Sequence, residues 1–275
     1  MGNNALKDNP PGADLHISTN ASDWLWAAFC VQAVSLLVML VFNFARPRGT
    51  RLFHQLSLII LIGFSVGYFS MASNLGYAPA PVEFRGHGDK PTRQIWYVRY
   101  IVWTVTFPLS VLELLLATGL SLSDIVTTCF MCIVVIVMGL VGAIVLSTYK
   151  WGYFVFGIAG LFYVWYVLLW HGVRTQFPGD GVLRPGYIQA AGWFAFILIT
   201  YPICWACSEG GNVITPSAEM IWYGILDICA GPIFLFFYLF RLHNVDYATF
   251  GFSSGKYTDS GAVVVPSEKP PVSAA

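Results

Sequence analysis

Charged residues are scarce in this sequence. Asp, Glu, Lys and Arg make up 10% of its 275 residues, against 57% hydrophobic residues, whereas an ordinary globular domain carries about 25% charged residues. The formal net charge is zero, and no run of basic residues offers a site for nucleic acid. The composition therefore excludes an ordinary soluble domain and gives no support to nucleic-acid binding. It predicts an integral membrane protein whose partners include membrane lipids.

Lysine and recognisable catalytic motifs are also nearly absent. The apolar segments contain no primary amine, because every lysine lies in a polar tail or loop: Lys7, Lys90, Lys150, Lys256 and Lys269. No catalytic triad, phosphate-binding loop or metal cluster is recognisable, so we do not expect an enzyme. Two Cys-x-x-Cys pairs, at 129–132 and 204–207, lie in apolar stretches without neighbouring His. Buried Cys usually behaves as a small hydrophobic residue, and we interpret both pairs as packing residues.

Seven apolar runs are long enough to cross a bilayer, which takes about 20 residues. They cover residues 23–45, 53–76, 94–118, 124–147, 151–173, 187–208 and 218–241. The short connections between them predict one all-α bundle of seven transmembrane helices over residues 23–242. The flanking segments 1–22 and 243–275 are rich in Pro, Gly, Ser, Asn and Asp, and we predict that both are disordered tails.

The distribution of basic residues predicts the orientation of the bundle. Arg46, Arg48 and Arg51 follow the first apolar run, and Arg174 and Arg184 lie between the fifth and the sixth. Basic loop residues concentrate on the cytoplasmic side of a membrane. The N-terminal tail is therefore predicted to be extracellular and the C-terminal tail cytoplasmic.

Four stretches of the sequence resemble the microbial rhodopsin family, and in particular its fungal opsin-related members. They are RYIVWTVTFPLSVLE at 99–113, YPICW at 201–205, SEGGN at 208–212 and DICAGP at 227–232. The resemblance extends over residues 22–243. It implies a seven-helix bundle of microbial rhodopsin type, in which a buried Asp and a retinal-carrying Lys lie four residues apart in the seventh helix.

The residues that carry the family's chemistry are only partly present. Asp227 matches the buried Asp, but Gly231 occupies the position of the lysine, and Gly has no amine for a Schiff base. The proton-acceptor position, three residues after Arg99, is Val102, whereas the donor position keeps a carboxylate, Glu113. The resemblance therefore implies a protein that cannot bind retinal covalently.

The loss of the lysine and of the acceptor carboxylate is electrostatically balanced. Removing one cation and one anion leaves Arg99 opposite Asp227, and the core stays neutral. Removing one partner alone would leave a buried charge uncompensated, at a cost of about 3–5 kcal/mol. We interpret Arg99 and Asp227 as a relic ion pair between the third and seventh helices, with a gate or ion site as the alternative.

The resemblance also assigns positions along a relic proton path and around a former retinal pocket. Glu209 and Glu219 match a pair of carboxylates that releases protons in the family's pumps, although we favour a solvated loop or helix-capping role for them here. The former pocket comprises Tyr68, Trp103, Thr106, Phe107, Cys132, Leu198, Tyr201, Trp205 and Gly231. Either neighbouring side chains fill the space left by the lysine, or an apolar ligand does.

Three functional hypotheses follow. The first is a non-photochemical opsin-like protein of a fungal plasma membrane, with an accessory, stress-related role and no covalently bound cofactor. The second is a residual proton or ion conductor that uses Arg99, Asp227, Glu113 and the two outer carboxylates. The third is a noncovalent binder of retinoid, sterol or lipid in the former pocket. Family bundles form dimers or trimers, so the resemblance also allows a homo-oligomer.

Overall fold

A computed structural model describes residues 3–84, 92–175 and 183–252 of the protein. It contains seven helices that are long and apolar enough to cross a membrane, as the sequence predicts. They are α1 (Thr19–Ala45), α2 (Leu52–Ala72), α3 (Tyr97–Leu115), α4 (Leu122–Ile144), α5 (Lys150–Arg174), α6 (Leu183–Gly210) and α7 (Pro216–Leu242). The helix ends differ from the predicted ends by a few residues, because some apolar runs continue into turns and because α1, α6 and α7 begin in more polar segments ahead of their apolar runs.

Polar side chains set where several of these helices begin. The hydroxyl oxygens of Ser18, Ser121 and Thr215 each accept a hydrogen bond from the backbone N–H three residues later, at the starts of α1, α4 and α7. These side chains satisfy N–H groups that have no partner within the helix. Pro216 occupies the first position of α7, where its missing N–H costs nothing.

The helices form a closed ring. Each helix packs against the next along the chain, and α7 also packs against α1. The surface that faces outward is apolar, with large exposed side chains such as Phe44, Phe156 and Phe240. The interior holds buried polar groups, including Glu113 and Asp227. Polar groups inside the bundle and apolar groups outside are the arrangement expected for a protein surrounded by lipid.

The N-terminal segment is ordered, contrary to the prediction of a disordered tail. It contains a one-turn helix, Ala5–Asp8, and the backbone of Leu15 bonds to Thr92 and Gln94. Those two residues belong to β2 (Thr92–Ile95), which pairs antiparallel with β1 (Ala78–Pro81). Ile17 is completely buried. The composition of this segment predicted disorder because composition does not show which few apolar side chains are buried, or that the backbone bonds to a hairpin far away in the sequence.

The first residues after α7 are ordered as well, again contrary to the predicted tail. Tyr247–Phe250 forms a single 3₁₀ turn, and the backbone N–H of Leu52 donates to the Tyr247 hydroxyl at 3.0 Å. The ring of Phe250 lies 5.2 Å from that of Phe53 at the start of α2. Aromatic contacts with α2 therefore hold residues 247–252 against the bundle. The predicted tail from residue 253 onward lies outside the described residues.

Candidate functional site

Asp227 is the centre of a buried hydrogen-bond network. Its Oδ2 accepts from the Tyr68 hydroxyl at 2.6 Å, and its Oδ1 accepts from the Tyr201 hydroxyl at 2.7 Å. Trp103 Nε1 donates to Oδ1 at 3.2 Å. Helices α2, α3 and α6 thus each supply one donor to a carboxylate on α7, and Asp227 is 1% exposed. Three residues predicted to line the former pocket converge on this one carboxylate.

Arg99 forms the predicted pair with Asp227. The distance from Arg99 Nη1 to Asp227 Oδ2 is 3.5 Å, and the Arg99 side chain is 10% exposed. The guanidinium carbon lies 3.3 Å from the centroid of the Tyr223 ring, which supports the charge through a cation–π contact. Nη1 has no hydrogen-bond partner among the described residues. One buried cation therefore faces one buried anion, and the Nη1 group of the cation makes no hydrogen bond.

Two side chains occupy the space beside Gly231. A Cβ at this position would lie 3.2 Å from Cδ2 and Cε2 of Phe64 and 3.4 Å from Oε1 of Gln32. Phe64 packs edge-on against Trp103, with ring centroids 5.6 Å apart, and Gln32 Nε2 donates to the Asp227 carbonyl at 3.4 Å. At this end of the former pocket, neighbouring side chains rather than a void adjoin the glycine.

Val102 makes close contact with α2. A Cβ built on Gly67 would lie only 2.6 Å from Val102 Cγ2, and one on Gly63 would lie 3.0 Å from Thr106 Cγ2. The two glycines therefore allow α2 and α3 to approach closely at the former acceptor position. The apolar side chain of Val102 has no group that could accept a proton.

A cavity of about 110 Å³ lies at the other end of the former pocket, between α3, α4, α5 and α6. Five predicted pocket residues line it, namely Trp103, Phe107, Leu198, Tyr201 and Trp205. Its remaining wall consists of Arg99, Tyr100, Val135, Ile136, Gly139, Tyr153, Phe154, Gly157, Ile158, Leu161, Pro202 and Tyr223. The other predicted pocket residues, Tyr68, Thr106, Cys132 and Gly231, do not line it, because they pack against α2 or within the core.

Trp205 forms a rigid wall of this cavity. Its Nε1 donates to the Gly139 carbonyl at 3.1 Å, and its ring stacks on Phe154 with centroids 5.2 Å apart. Trp151 packs edge-on against the same ring. The indole is therefore fixed by α4 and α5 and does not turn into the cavity.

Glu113 lies apart from the Asp227 network. It is fully buried, and its Oε1 accepts from the Ser57 hydroxyl at 2.9 Å. Oε2 has no hydrogen-bond partner in the described part of the chain. Glu113 lies fourteen positions after Arg99 along α3, which is about 21 Å at the rise of an α-helix. The donor carboxylate of the predicted relic path is thus remote from the ion pair.

Glu209 and Glu219 lie in a buried network at the end of the bundle that carries the N-terminus. Arg93 Nη2 is 2.5 Å from Glu219 Oε2, and the Tyr100 hydroxyl donates to Glu209. Lys150 Nζ donates to the Glu209 carbonyl at 3.0 Å. The predicted solvated role for these carboxylates is wrong, since Glu209 is 6% exposed and Glu219 is completely buried. Lys150, expected in a polar loop, is the first residue of α5 and is also buried.

Sequence reasoning gave no site role to seven residues of these networks, which are Gln32, Ser57, Phe64, Arg93, Tyr100, Lys150 and Tyr223. One usable signal was that Arg93 and Glu219 are opposite charges expected on the same side of the membrane. The others are ordinary residues within helices or at their ends and gave no distinguishing pattern.

Comparisons with known proteins agree with this architecture. Residues 19–245 match the family model described as bacteriorhodopsin-like protein. Protein FDD123 of Trametes versicolor is 66% identical over 95% of this chain and 92% of its own length. The 30 kDa heat shock protein of Saccharomyces cerevisiae is 35% identical over 84% of this chain and 76% of its own length.

A solved structure shows the same fold. The light-driven proton pump Coccomyxa subellipsoidea rhodopsin superposes with a TM-score of 0.78 and 30% identity, over 82% of this chain and 98% of the pump. The family match, the close fungal relative and the seven-helix ring around a buried Asp lead to one assignment. The protein is an integral membrane protein that belongs to the bacteriorhodopsin-like family.

Proposed function

We propose that this family member is a non-photochemical opsin-like protein that cannot form a retinal Schiff base. The observation that carries the proposal is the environment of position 231, where Phe64 and Gln32 adjoin a glycine in place of a lysine side chain. The balanced pair of Arg99 and Asp227 supports it. A protonated Schiff base at position 231 would add a second cation beside a site where one acid, Asp227, faces one arginine, Arg99.

We further propose an accessory, stress-related role in a fungal plasma membrane. The support is the sequence similarity to a yeast protein named for heat shock and to a second fungal protein, together with the membrane-spanning fold. Such a role depends on a stable bundle and does not depend on photochemistry. A core in which the buried charges are paired is consistent with it.

A residual conductor receives less support from the geometry. The acidic groups occupy three separate networks, with Asp227 bound by four side chains, Glu113 by Ser57, and Glu219 by Arg93. Phe64, Phe107 and Val111 are buried at positions of α2 and α3 that lie between the levels of Asp227 and Glu113. The Ser110 hydroxyl there donates to a carbonyl of its own helix. A chain of polar groups would be needed to pass a proton across this region.

A noncovalent binder is the second candidate, and one observation favours it. The cavity beside Trp103 and Trp205 has mostly apolar walls and one charged side chain, Arg99. Apolar pockets with few polar groups are typical of small-molecule sites.

The decisive experiment for the main proposal is a titration of the purified protein with all-trans retinal, followed by acid denaturation. We expect no protonated Schiff base to survive acid, while a retinal-binding light-driven pump treated in the same way retains one. A red-shifted band that remains covalently attached after acid would overturn the proposal. A shifted band that reverts to free aldehyde would leave it intact and favour the noncovalent candidate.

A further inference from the structure

We infer that residues 247–252 form a strap that closes one end of the bundle over Glu113, and that water reaches this buried acid only when the strap lifts. The strap follows α7 and lies against the start of α2. The inference goes beyond the proposed function, because it assigns a conformational device to the end of the bundle opposite the N-terminal segment.

Phe53, the second residue of α2, is the side chain on which the strap packs. Its ring centroid lies 5.2 Å from that of Phe250, 6.0 Å from that of Tyr247 and 6.2 Å from that of Phe252. It also lies 6.3 Å from the centroid of the Tyr238 ring, in the last turns of α7. Phe53 is 3% exposed and Tyr238 is completely buried. The strap therefore covers apolar rings at helix ends that would otherwise face water.

Ser57 and Glu113 lie one helical turn deeper than Phe53. Ser57 follows Phe53 by four positions, so the two side chains share one face of α2, about 6 Å apart along its axis. The Ser57 hydroxyl donates to Glu113 Oε1 at 2.9 Å, and both residues are fully buried. A continuous series of contacts thus runs from the strap through Phe53 and Ser57 to Glu113.

Buried polar atoms at this end of the bundle would gain hydrogen bonds from water. Glu113 Oε2, the Tyr238 hydroxyl and His54 Nδ1 have no hydrogen-bond partner among the described residues. A buried polar group without a partner is costly, and entering water would supply one. Hydration of these groups favours an open strap, whereas burial of the aromatic rings favours a closed one. Two opposed effects of this kind allow both states to be populated.

The strap also has internal structure of its own. The Ala248 N–H donates to the Asp246 side chain, and the Gly251 N–H donates to the Ala248 carbonyl. Gly251 has a φ of +64°, a left-handed conformation that glycine adopts without strain. The chain turns there, and Phe252 stacks on Phe250 with ring centroids 5.5 Å apart. Because these bonds and this stack lie within the segment, it can lift from α2 as a folded unit.

The test measures how fast a water-soluble carbodiimide and glycinamide convert the Glu113 carboxyl group to an amide. It uses the full-length protein in phosphatidylcholine nanodiscs, and peptide masses locate each modified carboxyl group. Phe250→Ala removes the strap ring nearest to Phe53. We expect it to raise the rate at Glu113 about tenfold, because losing an aromatic contact shifts the strap towards the open state. Asp227 is buried far from the strap, and its rate should not change.

Two further variants control this measurement. Phe240→Ala removes the same side chain from α7, where Phe240 is exposed on the outer surface of the bundle, and should leave the rates at Glu113 and Asp227 unchanged. Phe252→Ala removes a half-buried ring of the strap and should raise the rate at Glu113 less, about threefold. It keeps the test decisive if Phe250→Ala does not fold.

Three results would overturn the inference. The first is an unchanged rate at Glu113 in every strap variant that folds, and the second is an equal rise in Phe240→Ala. The third is a parallel rise at Asp227, which would show that the whole bundle has loosened. None of these results involves retinal or position 231, so each would leave the non-photochemical proposal standing.

Discussion

The two ends of the former pocket are built in opposite ways. At the Gly231 end, Phe64 and Gln32 adjoin the glycine, and the Asp227 carboxylate accepts three side-chain hydrogen bonds. At the Trp205 end, a cavity of about 110 Å³ persists. At roughly 24 cal/mol per Å³, that cavity costs on the order of 2–3 kcal/mol. An unpaired buried charge costs about 3–5 kcal/mol, so the polar end must be satisfied, whereas the apolar end can remain open or hold a ligand.

The largest effect should come from breaking the charge balance at the closed end. Asp227→Ala leaves Arg99 buried without its anion and removes the acceptor of three donors, so we expect destabilisation of about 3–5 kcal/mol. Denaturant or thermal unfolding in detergent micelles measures the loss. The matched double variant Arg99→Gln with Asp227→Asn should recover much of it. Equal stability of the single and double variants would mean that the charge balance does not determine the stability of this end of the pocket.

Side-chain truncation should distinguish the two ends next. Phe64→Ala opens a void beside Gly231 and should cost about 3–5 kcal/mol, while Leu198→Ala enlarges an existing cavity and should cost about 2 kcal/mol, at the low end for such changes. Unfolding of both variants under the same conditions gives the difference. If Leu198→Ala were the more destabilising, the cavity end would be the more tightly packed of the two, against the geometry.

Restoring the lysine tests how fully the closed end is occupied. Gly231→Lys must displace Phe64 and adds a cation without a matching acid, so we expect destabilisation of about 1–3 kcal/mol from overpacking alone. Adding Phe64→Ala should relieve the crowding. Acid trapping with retinal should then detect a Schiff base more readily in the double variant than in the single one. The reverse order would show that Phe64 does not block the lysine.

The smallest effect should come from filling the open end. Leu198→Phe places extra apolar volume in the cavity and should stabilise the protein by up to about 1 kcal/mol. A thermal shift in ligand-free detergent measures this gain. The matched Leu37→Phe on the lipid-facing side of α1 should change stability little. Marked destabilisation by Leu198→Phe alone would indicate that the cavity is smaller than its walls suggest.

Much of this arrangement could be predicted from the sequence. The seven apolar runs gave the spans, because bilayer thickness fixes their length. The resemblance assigned Tyr68, Trp103 and Tyr201 to the former pocket, and the structure joins all three to Asp227 by hydrogen bonds. Residues three or four apart on a helix share a face, so short motifs within helices carry this information well.

Contacts between distant parts of the chain were harder to predict. Arg93 and Glu219 are separated by 126 positions, and no local pattern links them. Phe64 and Gln32 are unremarkable within their helices, and only packing shows that they meet Gly231. The same limit explains why Thr106 and Cys132 lie outside the cavity and why residues 3–17 are ordered, since each depends on neighbours supplied by other helices or by the hairpin.

The one-to-one pairing of Arg99 with Asp227 couples the substitutions that positions 102 and 231 can accept. A lysine introduced at 231 alone would add a cation without an anion, and an aspartate introduced at 102 alone would add an anion without a cation. Either change by itself would carry the penalty of an uncompensated buried charge. The close approach of Val102 to Gly67 would crowd an aspartate at 102 further. The two positions are therefore expected to change together, because only the double substitution keeps the charge of this region neutral.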